Sequence, residues 1–333
     1  MSAGEWGAEY AGRRVLITGG LGFIGSNLAI RLVEHGAQVT VLDALIPEHG
    51  GNRFNLAPVA SRVRVEISDL RDAAAMPAAV RDQEFVFHLA GQVSHGDSMR
   101  DPELDLAVNC VATINLVEAC RRVNPEAHLI YTSTRQVYGI PRVLPVAEDH
   151  PTMPVDVNGI NKLAGEYYHL LYERTYGLRS AVLRLTNTYG PRQQIRSDRQ
   201  GFLGIFIRRA LRGETIRLYG TGAQVRDLNY VDDVVDALLA AGITEGCYGQ
   251  VLNLGAPRPY SLREVVEVLG GLCPVDFETV PFPRDRKLID IGDYYGDYSR
   301  FADLTGWQPR IELAEGLERT LSFYRRHPAT YWS

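Results

Sequence analysis

Three features of the sequence predict a doubly wound α/β fold, with a parallel sheet and a smaller lobe interleaved behind it. Short β-rich runs alternate with helical patterns through the first half, a glycine-rich turn joins the first run to the first helix, and the texture becomes irregular after Leu185. The β-rich runs are Arg14–Thr18, Gln38–Asp43, Val63–Ile67, Phe85–Leu89 and His128–Thr132. Helical patterns lie between them at Gly25–His35, near Arg71–Val80 and at Leu104–Val123. Strands separated by a helix pair in parallel, because the chain recrosses the sheet before the next strand begins. A long helix from about Asn158 to Tyr176 and a strand at Ala181–Leu185 continue the pattern. Beyond them, turn-rich stretches such as NTYGPRQQ, YGTGAQVRD, GAPRPYS and PFPRDRK separate two short helices, Phe202–Arg212 and Val231–Ala241, and one strand, Gln250–Leu254. The first unit is set at residues 12–185 and the second lobe at 186–325, with the strand near residue 250 expected to rejoin the main sheet.

The chain has 333 residues, 45% hydrophobic and 23% charged, with a formal net charge of −5. That composition suits a buried core and supplies no basic field for nucleic acid or an anionic membrane. Its apolar runs are far shorter than the roughly 20 residues of a membrane span. The opening MSAGEWGAEYAGRR carries no apolar stretch ahead of its arginines, so a cytoplasmic chain is expected. Cys110, Cys120, Cys247 and Cys273 are scattered without a CxxC or a histidine cluster, so reduced thiols and no metal site are expected.

The run from Thr18 through Gly19, Gly20, Leu21, Gly22, Phe23 and Ile24 to Gly25 follows the first strand and opens the first helix. Glycines at this spacing allow the tight turn, the close approach of backbone to a pyrophosphate, and helix-on-sheet packing. The second strand ends in Asp43, 18 residues past Gly25, where a carboxylate holds a ribose 2′-hydroxyl. No arginine follows closely, the next being Arg53, so NAD is expected rather than NADP.

Together these residues resemble the extended short-chain dehydrogenase/reductase family, in its nucleotide-sugar epimerase and dehydratase group, over nearly the whole chain. TGGLGFIG matches the family's GxxGxxG turn, and Asp69-Leu70 its adenine-contacting pair. His88-Leu89-Ala90-Gly91 matches the signature that lies along the cofactor. Asn109 with Thr113-Ile114-Asn115-Leu116 matches the N-x3-GTxNL helix, except that Ala112 replaces its glycine. The stretch Arg184 to Pro191 resembles RxxNxYGP, whose Asn, here Asn187, contacts the sugar diphosphate. Arg226-Asp227 through Asp233 resembles RDFxYVDD, whose Arg binds phosphate; Asn253-Leu254-Gly255 and Gly306-Trp307-Gln308-Pro309 match late marks. The resemblance implies a Rossmann fold, bound NAD, a nucleotide-sugar substrate (a UDP-sugar first) and a homodimer built on the helices Leu104–Val123 and Asn158–Tyr176.

The family's chemistry joins a Ser/Thr hydroxyl to a YxxxK pair, in which a tyrosinate takes a proton from a sugar hydroxyl. Here Thr134 falls at the hydroxyl position and Lys162 at the lysine, but Asn158 stands where the tyrosine belongs. A carboxamide takes up no proton at neutral pH, though it still forms hydrogen bonds. Losing a general base costs about 10²–10⁴ in rate. Three explanations stay open. Another group has taken over (His95, Lys162 itself, Tyr189 or Tyr138), the asparagine is an engineered trap, or the chain binds its ligands without turnover. In the dehydratase branch the Thr is followed by Asp-Glu, which eliminates water; here Arg135 and Gln136 follow it, which argues against dehydration. Epimerisation at C4 of an NDP-hexose is therefore expected, and Arg135 also admits a uronic acid, because a guanidinium forks onto a carboxylate. A sugar-nucleotide dehydrogenase or decarboxylase is a further alternative on the same fold.

His95 follows Gln92-Val93-Ser94 in a loop that the resemblance turns toward the substrate, so Gln92 and Ser94 join the substrate list. Among Arg284, Arg286 and Lys287, Arg286 is selected for diphosphate binding. Arg192, Arg196, Arg199, Arg208, Arg209 and Arg212 read as part diphosphate clamp and part solvated helix face rather than a nucleic-acid patch. Arg217 precedes the Leu218-Tyr219 pair, at the nucleobase position the resemblance implies, and the tyrosine-rich 293–298 segment reads as core packing.

Overall fold

Val15, Leu16 and Ile17 follow one another without a polar break, the pattern of a strand covered on both faces, and they lie fully buried in β1 (Arg14–Thr18). The computed structural model describes residues 3–46, 49–197 and 201–332. Helix α1 (Ala3–Ala8) precedes β1; α2 (Phe23–Glu34), β2 (Gln38–Asp43), β3 (Val63–Ile67), α3 (Met76–Val80) and β4 (Phe85–His88) follow. Next come α4 (His95–Arg100), α5 (Pro102–Leu106), a π-helical turn over Ala107–Val111, α6 (Ala112–Val123), β5 (His128–Thr134), α7 (Val157–Tyr176) and β6 (Ser180–Leu185). The expected single helix Leu104–Val123 thus starts at Pro102, where Asp101 caps it by accepting from the Leu104 N–H at 3.0 Å, and it is interrupted by the π turn.

The chain continues as β7 (Asn187–Tyr189), α8 (Phe202–Arg212), β8 (Ile216–Tyr219), β9 (Val225–Tyr230), α9 (Val231–Ile243), β10 (Val251–Asn253), β11 (Pro259–Ser261) and α10 (Leu262–Leu272). It ends with β12 (Phe277–Val280), α11 (Arg284–Lys287), α12 (Ser299–Thr305), α13 (Leu313–Arg326) and α14 (Pro328–Tyr331). Seven parallel strands form the main sheet in the order β10-β6-β5-β4-β1-β2-β3. Strand β10 therefore closes that sheet beside β6, although β7, α8, β8 and β9 of the second lobe intervene in the chain.

One sheet face packs on α2 and α9 through Leu28, Leu32, Val234 and Leu238; the other packs on α3 and α6 through Met76, Leu116 and Val117. The second lobe holds a β11-β9-β7 sheet and a β12-β8 pair. Its content corrects the expected two helices and one strand after Leu185. Strands of three or four residues show too little alternation to be recognised, and α10 opens with a Ser261–Glu264 capping box inside turn-rich sequence. Strand order reverses between β1 and β4, so their carboxyl ends part and leave a crevice above the sheet.

Candidate active site

A cavity of about 340 Å³ occupies that crevice, with a glycine turn at one end and Thr134, Lys162, Asn158 and His95 on its wall. At the first end Gly19 adopts φ +70°, and a Cβ there would lie 2.8 Å from the Ala90 backbone. A Cβ on Gly25 would lie 2.4 Å from the Gly19 carbonyl, so strand and helix meet only because neither residue has a side chain. Gly22 caps α2 without a side-chain hydrogen bond, which leaves the first N–H groups of Phe23, Ile24 and Gly25 for a ligand. Asp43 accepts from the Leu21 and Leu45 N–H groups at 3.0 and 2.9 Å; burial pushes its pKa up while these bonds pull it back. Asp69 is held by a forked pair from Arg71, with 2.6 Å between Nη2 and Oδ2, and this holds its carboxyl below the usual range. Leu70, Leu89, Ala90 and Gly91 complete this part of the wall. A Cβ on Gly91 would sit 3.0 Å from the Lys162 ammonium, so glycine keeps that nitrogen accessible. An acid at the ribose position, uncapped N–H groups and a turn closed to side chains fit a dinucleotide.

At the other end Lys162 Nζ donates to the Thr132 carbonyl at 3.1 Å and lies 4.9 Å from the centre of the Tyr131 ring. Burial lowers its pKa to about 8, against the pull of the carboxylates of Asp105 and Glu166. Thr134 ends β5 and its hydroxyl accepts from the Gln136 N–H at 3.2 Å, which fixes the side chain at the cavity wall. Asn158 is buried on the first turn of α7. Its Nδ2 donates to the Gln92 carbonyl at 2.8 Å and to Asp105 at 3.2 Å, while Asn161 donates to the other Asp105 oxygen at 2.8 Å.

Other residues expected to touch ligands serve one step behind the wall. Asn109 does not line the cavity: its side chain accepts from the Gln92 N–H at 3.2 Å and donates to the Gln92 carbonyl at 3.1 Å, pinning that loop. Ser94 instead caps α4, accepting from the Asp97 N–H at 3.2 Å, while Gln92 itself lines the wall. Asn187 lines it too, accepting from Arg135 at 3.0 Å and donating to the Asp227 carbonyl at 3.1 Å. Arg135, Gln136 and Arg226 stand outside the lining. Gln136 donates to Asp156 at 2.8 Å, and Arg226 pairs with Asp290 at 3.1 Å. Arg286 is exposed on α11 and also outside it, because that short helix buries none of its side chains. Tyr138 and Tyr189 are not the base at this wall: Tyr138 donates to Asn253 at 2.7 Å, Tyr189 faces the Leu313 carbonyl, and both are buried elsewhere. Arg199 lies outside the described residues, and Arg217 pairs with Glu278 at 2.9 Å. Tyr294, in the tyrosine-rich segment, is buried as expected of core packing. The four cysteines are free.

Sequence reasoning missed two carboxylates at the site, Asp105 and Asp156. Asp105 reaches Asn158 across 53 positions, which no spacing rule detects. Asp156 was detectable as the residue capping the helix that carries Asn158 and Lys162.

The family model described as the NAD dependent epimerase/dehydratase family matches residues 15–255. A UDP-glucose 4-epimerase of Mycolicibacterium smegmatis is 36% identical over 315 residues, covering 94% of this chain and 98% of that protein. A dTDP-glucose 4,6-dehydratase of the same organism is 34% identical over 329 residues, covering 96% and 95%. The crystal structure of the Thermotoga maritima UDP-glucose 4-epimerase with UDP-glucose superposes with a TM-score of 0.86 at 32% identity, covering 94% of this chain and 99% of the other. Fold, glycine turn and overall match agree, and the chain belongs to the NAD-dependent epimerase/dehydratase family.

Proposed function

We propose that this protein is a nucleotide-sugar epimerase that inverts C4 of an NDP-hexose or NDP-uronic acid, a UDP-sugar first, by transient oxidation within the cavity. The observation that carries the reading is the single cavity that joins a dinucleotide turn to Thr134 and Lys162 on one wall. Gly19, Gly22, Phe23, Ile24 and Gly25 would hold the pyrophosphate, Asp43 the ribose, and Asp69 with Leu70 the adenine. Leu89, Ala90, Gly91 and Lys162 would flank the nicotinamide, with Asn109 acting through the Gln92 loop. Bound NAD supplies a reversible two-electron acceptor beside the sugar.

The Thr134 hydroxyl and Lys162 ammonium donate to the sugar oxygen as it becomes a carbonyl. Asn158 orients a neighbouring hydroxyl through its amide. Gln92 and Asn187 line the sugar's path; Arg135, Ser94, Arg226 and Arg286 are proposed for the diphosphate and sugar at its margin. Arg135 leaves Nη1 buried and without a partner, which supports an acidic sugar as the second substrate choice. Dehydration is disfavoured, because Arg135 and Gln136 follow Thr134 and Gln136 is turned onto Asp156. The reading carries with it a cytoplasmic homodimer. Exposed apolar side chains on α7 support the dimer, and among the described residues no helix is long and apolar enough to cross a membrane.

One observation favours a second reading. Asn158 uses its amide hydrogens within the protein and accepts no proton, which suits a silent binder of NAD and a sugar nucleotide. Incubating the protein with UDP-glucose, UDP-galactose, UDP-N-acetylglucosamine, UDP-glucuronate and dTDP-glucose, and following each by NMR with absorbance near 340 nm, decides between them. An isomerised sugar without accumulated NADH is the expected result. Binding of these sugars without isomerisation would leave the silent binder.

A further inference from the structure

Oxidation of a sugar hydroxyl releases a proton that Asn158 cannot take, so the epimerase reading, on which this inference rests, requires an acceptor elsewhere on the wall. Two titratable side chains, Lys162 and His95, line its reacting end. Lys162 spends one N–H on the Thr132 carbonyl and lies against the Tyr131 ring, and in the epimerase reading it serves as the ammonium donor to the sugar oxygen. We propose that His95, positioned by Asp156, is the general base that replaces the missing tyrosine.

The placement of both residues is built into helix ends. His95 is the first residue of α4, and Ser94 caps that helix through the Asp97 N–H. Asp156 caps α7, where its Oδ1 accepts from the Gly159 N–H at 2.7 Å. Its Oδ2 accepts from Gln136 at 2.8 Å and lies 3.0 Å from Nδ1 of His95. The carboxylate is buried, while the imidazole is 35% exposed and faces the cavity. This contact is close in distance but bent at the N–H, a geometry that tightens when the ring turns onto a bound hydroxyl.

Burial alone would raise the pKa of Asp156, but the close contact with His95 and the hydrogen bonds from Gly159 and Gln136 outweigh it and hold the group below its ordinary value. An ionised carboxylate behind Nδ1 selects the tautomer with hydrogen on that nitrogen, so Nε2 carries the lone pair. The carboxylate lies at Nδ1, which leaves Nε2 as the ring nitrogen that does not face Asp156. Asp97 and Arg100, on the same helix, neutralise each other at 2.8 Å. Lys162, from α7, is the cation at this end of the wall, and Arg71 lines the other end beside Asp69.

The step then balances. The sugar O–H bond breaks and an N–H bond forms at Nε2, while the oxygen's electron pair becomes the second bond of a carbonyl. A nicotinamide held beside Leu89, Ala90 and Gly91 would supply the acceptor for the C4 hydrogen and its bonding pair. The imidazolium formed faces the Asp156 carboxylate and is stabilised by it. Return of both hydrogens after the sugar turns over gives the epimer. Nothing comparable is available to Asn158, whose amide is held by Gln92 and Asp105.

The test compares wild type with His95→Gln and Asp156→Asn on whichever UDP- or dTDP-sugar of the panel turns over. His95→Gln is expected to lose about 10²–10⁴-fold in kcat, with KM near the wild-type value. The acidic limb of its rate–pH profile should vanish. Asp156→Asn keeps the capping oxygen and removes the charge; its rate should fall less and its acidic limb should move to lower pH. A low-field Nδ1–H proton resonance, recorded with the sugar nucleotide bound, should be present in wild type, absent from His95→Gln and displaced in Asp156→Asn. An active wild type with an undiminished His95→Gln overturns the base assignment and leaves the epimerase standing. A wild type inert on every sugar overturns both. If His95→Gln does not fold, an Asp156→Asn variant with wild-type rate, limb and resonance overturns the pairing.

Discussion

Asn158 meets acceptors on both sides of its nitrogen, the Gln92 carbonyl and the Asp105 carboxylate, so its amide orientation is fixed and Oδ1 is the atom left for a ligand. Restoring the family's tyrosine with Asn158→Tyr therefore removes a donor from a buried carboxylate. That should cost about 1–3 kcal/mol, and the phenolate would form beside Asp105, which disfavours it. The expected result is lower stability in urea titrations and no gain in rate; a faster enzyme would show that the phenol escapes Asp105. Lys162 carries the opposite burden, a charge that burial disfavours. Its folded pKa of about 8 lies below the ordinary lysine value of 10.5, so between those values the unfolded chain binds more protons and stability rises with pH. Below about 8 both states are charged and the penalty is complete. A shift of that size is worth about 3 kcal/mol, set against about 1 for the lost bond to Thr132. Lys162→Met should thus be more stable than wild type by about 2 kcal/mol at pH 7. The gap should narrow toward pH 10, as urea titrations at the two pH values will show. Thr134 and Lys162 were legible through the family motif they match, and the glycine turn because strand, turn and helix are contiguous. Asp105 was not, because its meaning arises only when α5 packs on α7.

Helix α2 and strand β1 meet at a junction where backbone touches backbone. Gly25→Ala would drive a Cβ to 2.4 Å from the Gly19 carbonyl, which cannot swing aside as a side chain can. Overpacking of this kind costs about 1–3 kcal/mol, or several degrees in Tm at roughly 2–4 °C per kcal/mol. The displaced helix end should also bind NAD more weakly, measured by calorimetric titration of the unliganded protein. An unchanged Tm and affinity would mean that the turn has slack the geometry does not reveal. This junction could be read from the sequence because strand, turn and helix are contiguous and each has a strong local pattern. The same holds for β2, β3 and α8, whose bounds match the expected ones. It fails for β8 and β12, a parallel pair of four-residue strands that are separated by more than fifty residues and half exposed. Their order comes from each other and from α10, whose partner strand β11 is only three residues long. Elements that depend on distant partners carry little periodicity of their own.

Among the described residues, exposed apolar side chains gather on α7 and on the segment beside it. Ile160 and Tyr167 are 54% and 60% exposed, and with Leu171 they fall at i, i+7 and i+11 along one stripe of the helix. Leu106 and Val111, on α5 and the π turn, add to it, and α6 packs against α7. A twofold axis through this face would set the stripe against its own copy, because a closed dimer uses one self-complementary patch. Such a face must bury about 800 Å² on each protomer to be stable. The consequence reaches the site, since α7 also carries Asn158 and Lys162 on its opposite, buried side and α5 carries Asp105. Tyr167→Glu combined with Leu171→Glu places charge at the centre of the stripe without touching the cavity. The expected outcome is a monomer by light scattering, with a lower Tm and a wild-type Tm that rises with protein concentration. NAD should still bind the monomer, because the glycine turn lies on α2, but turnover should fall as α7 loses its support. If the double variant remains dimeric, the copies meet on another face and this stripe awaits a different partner.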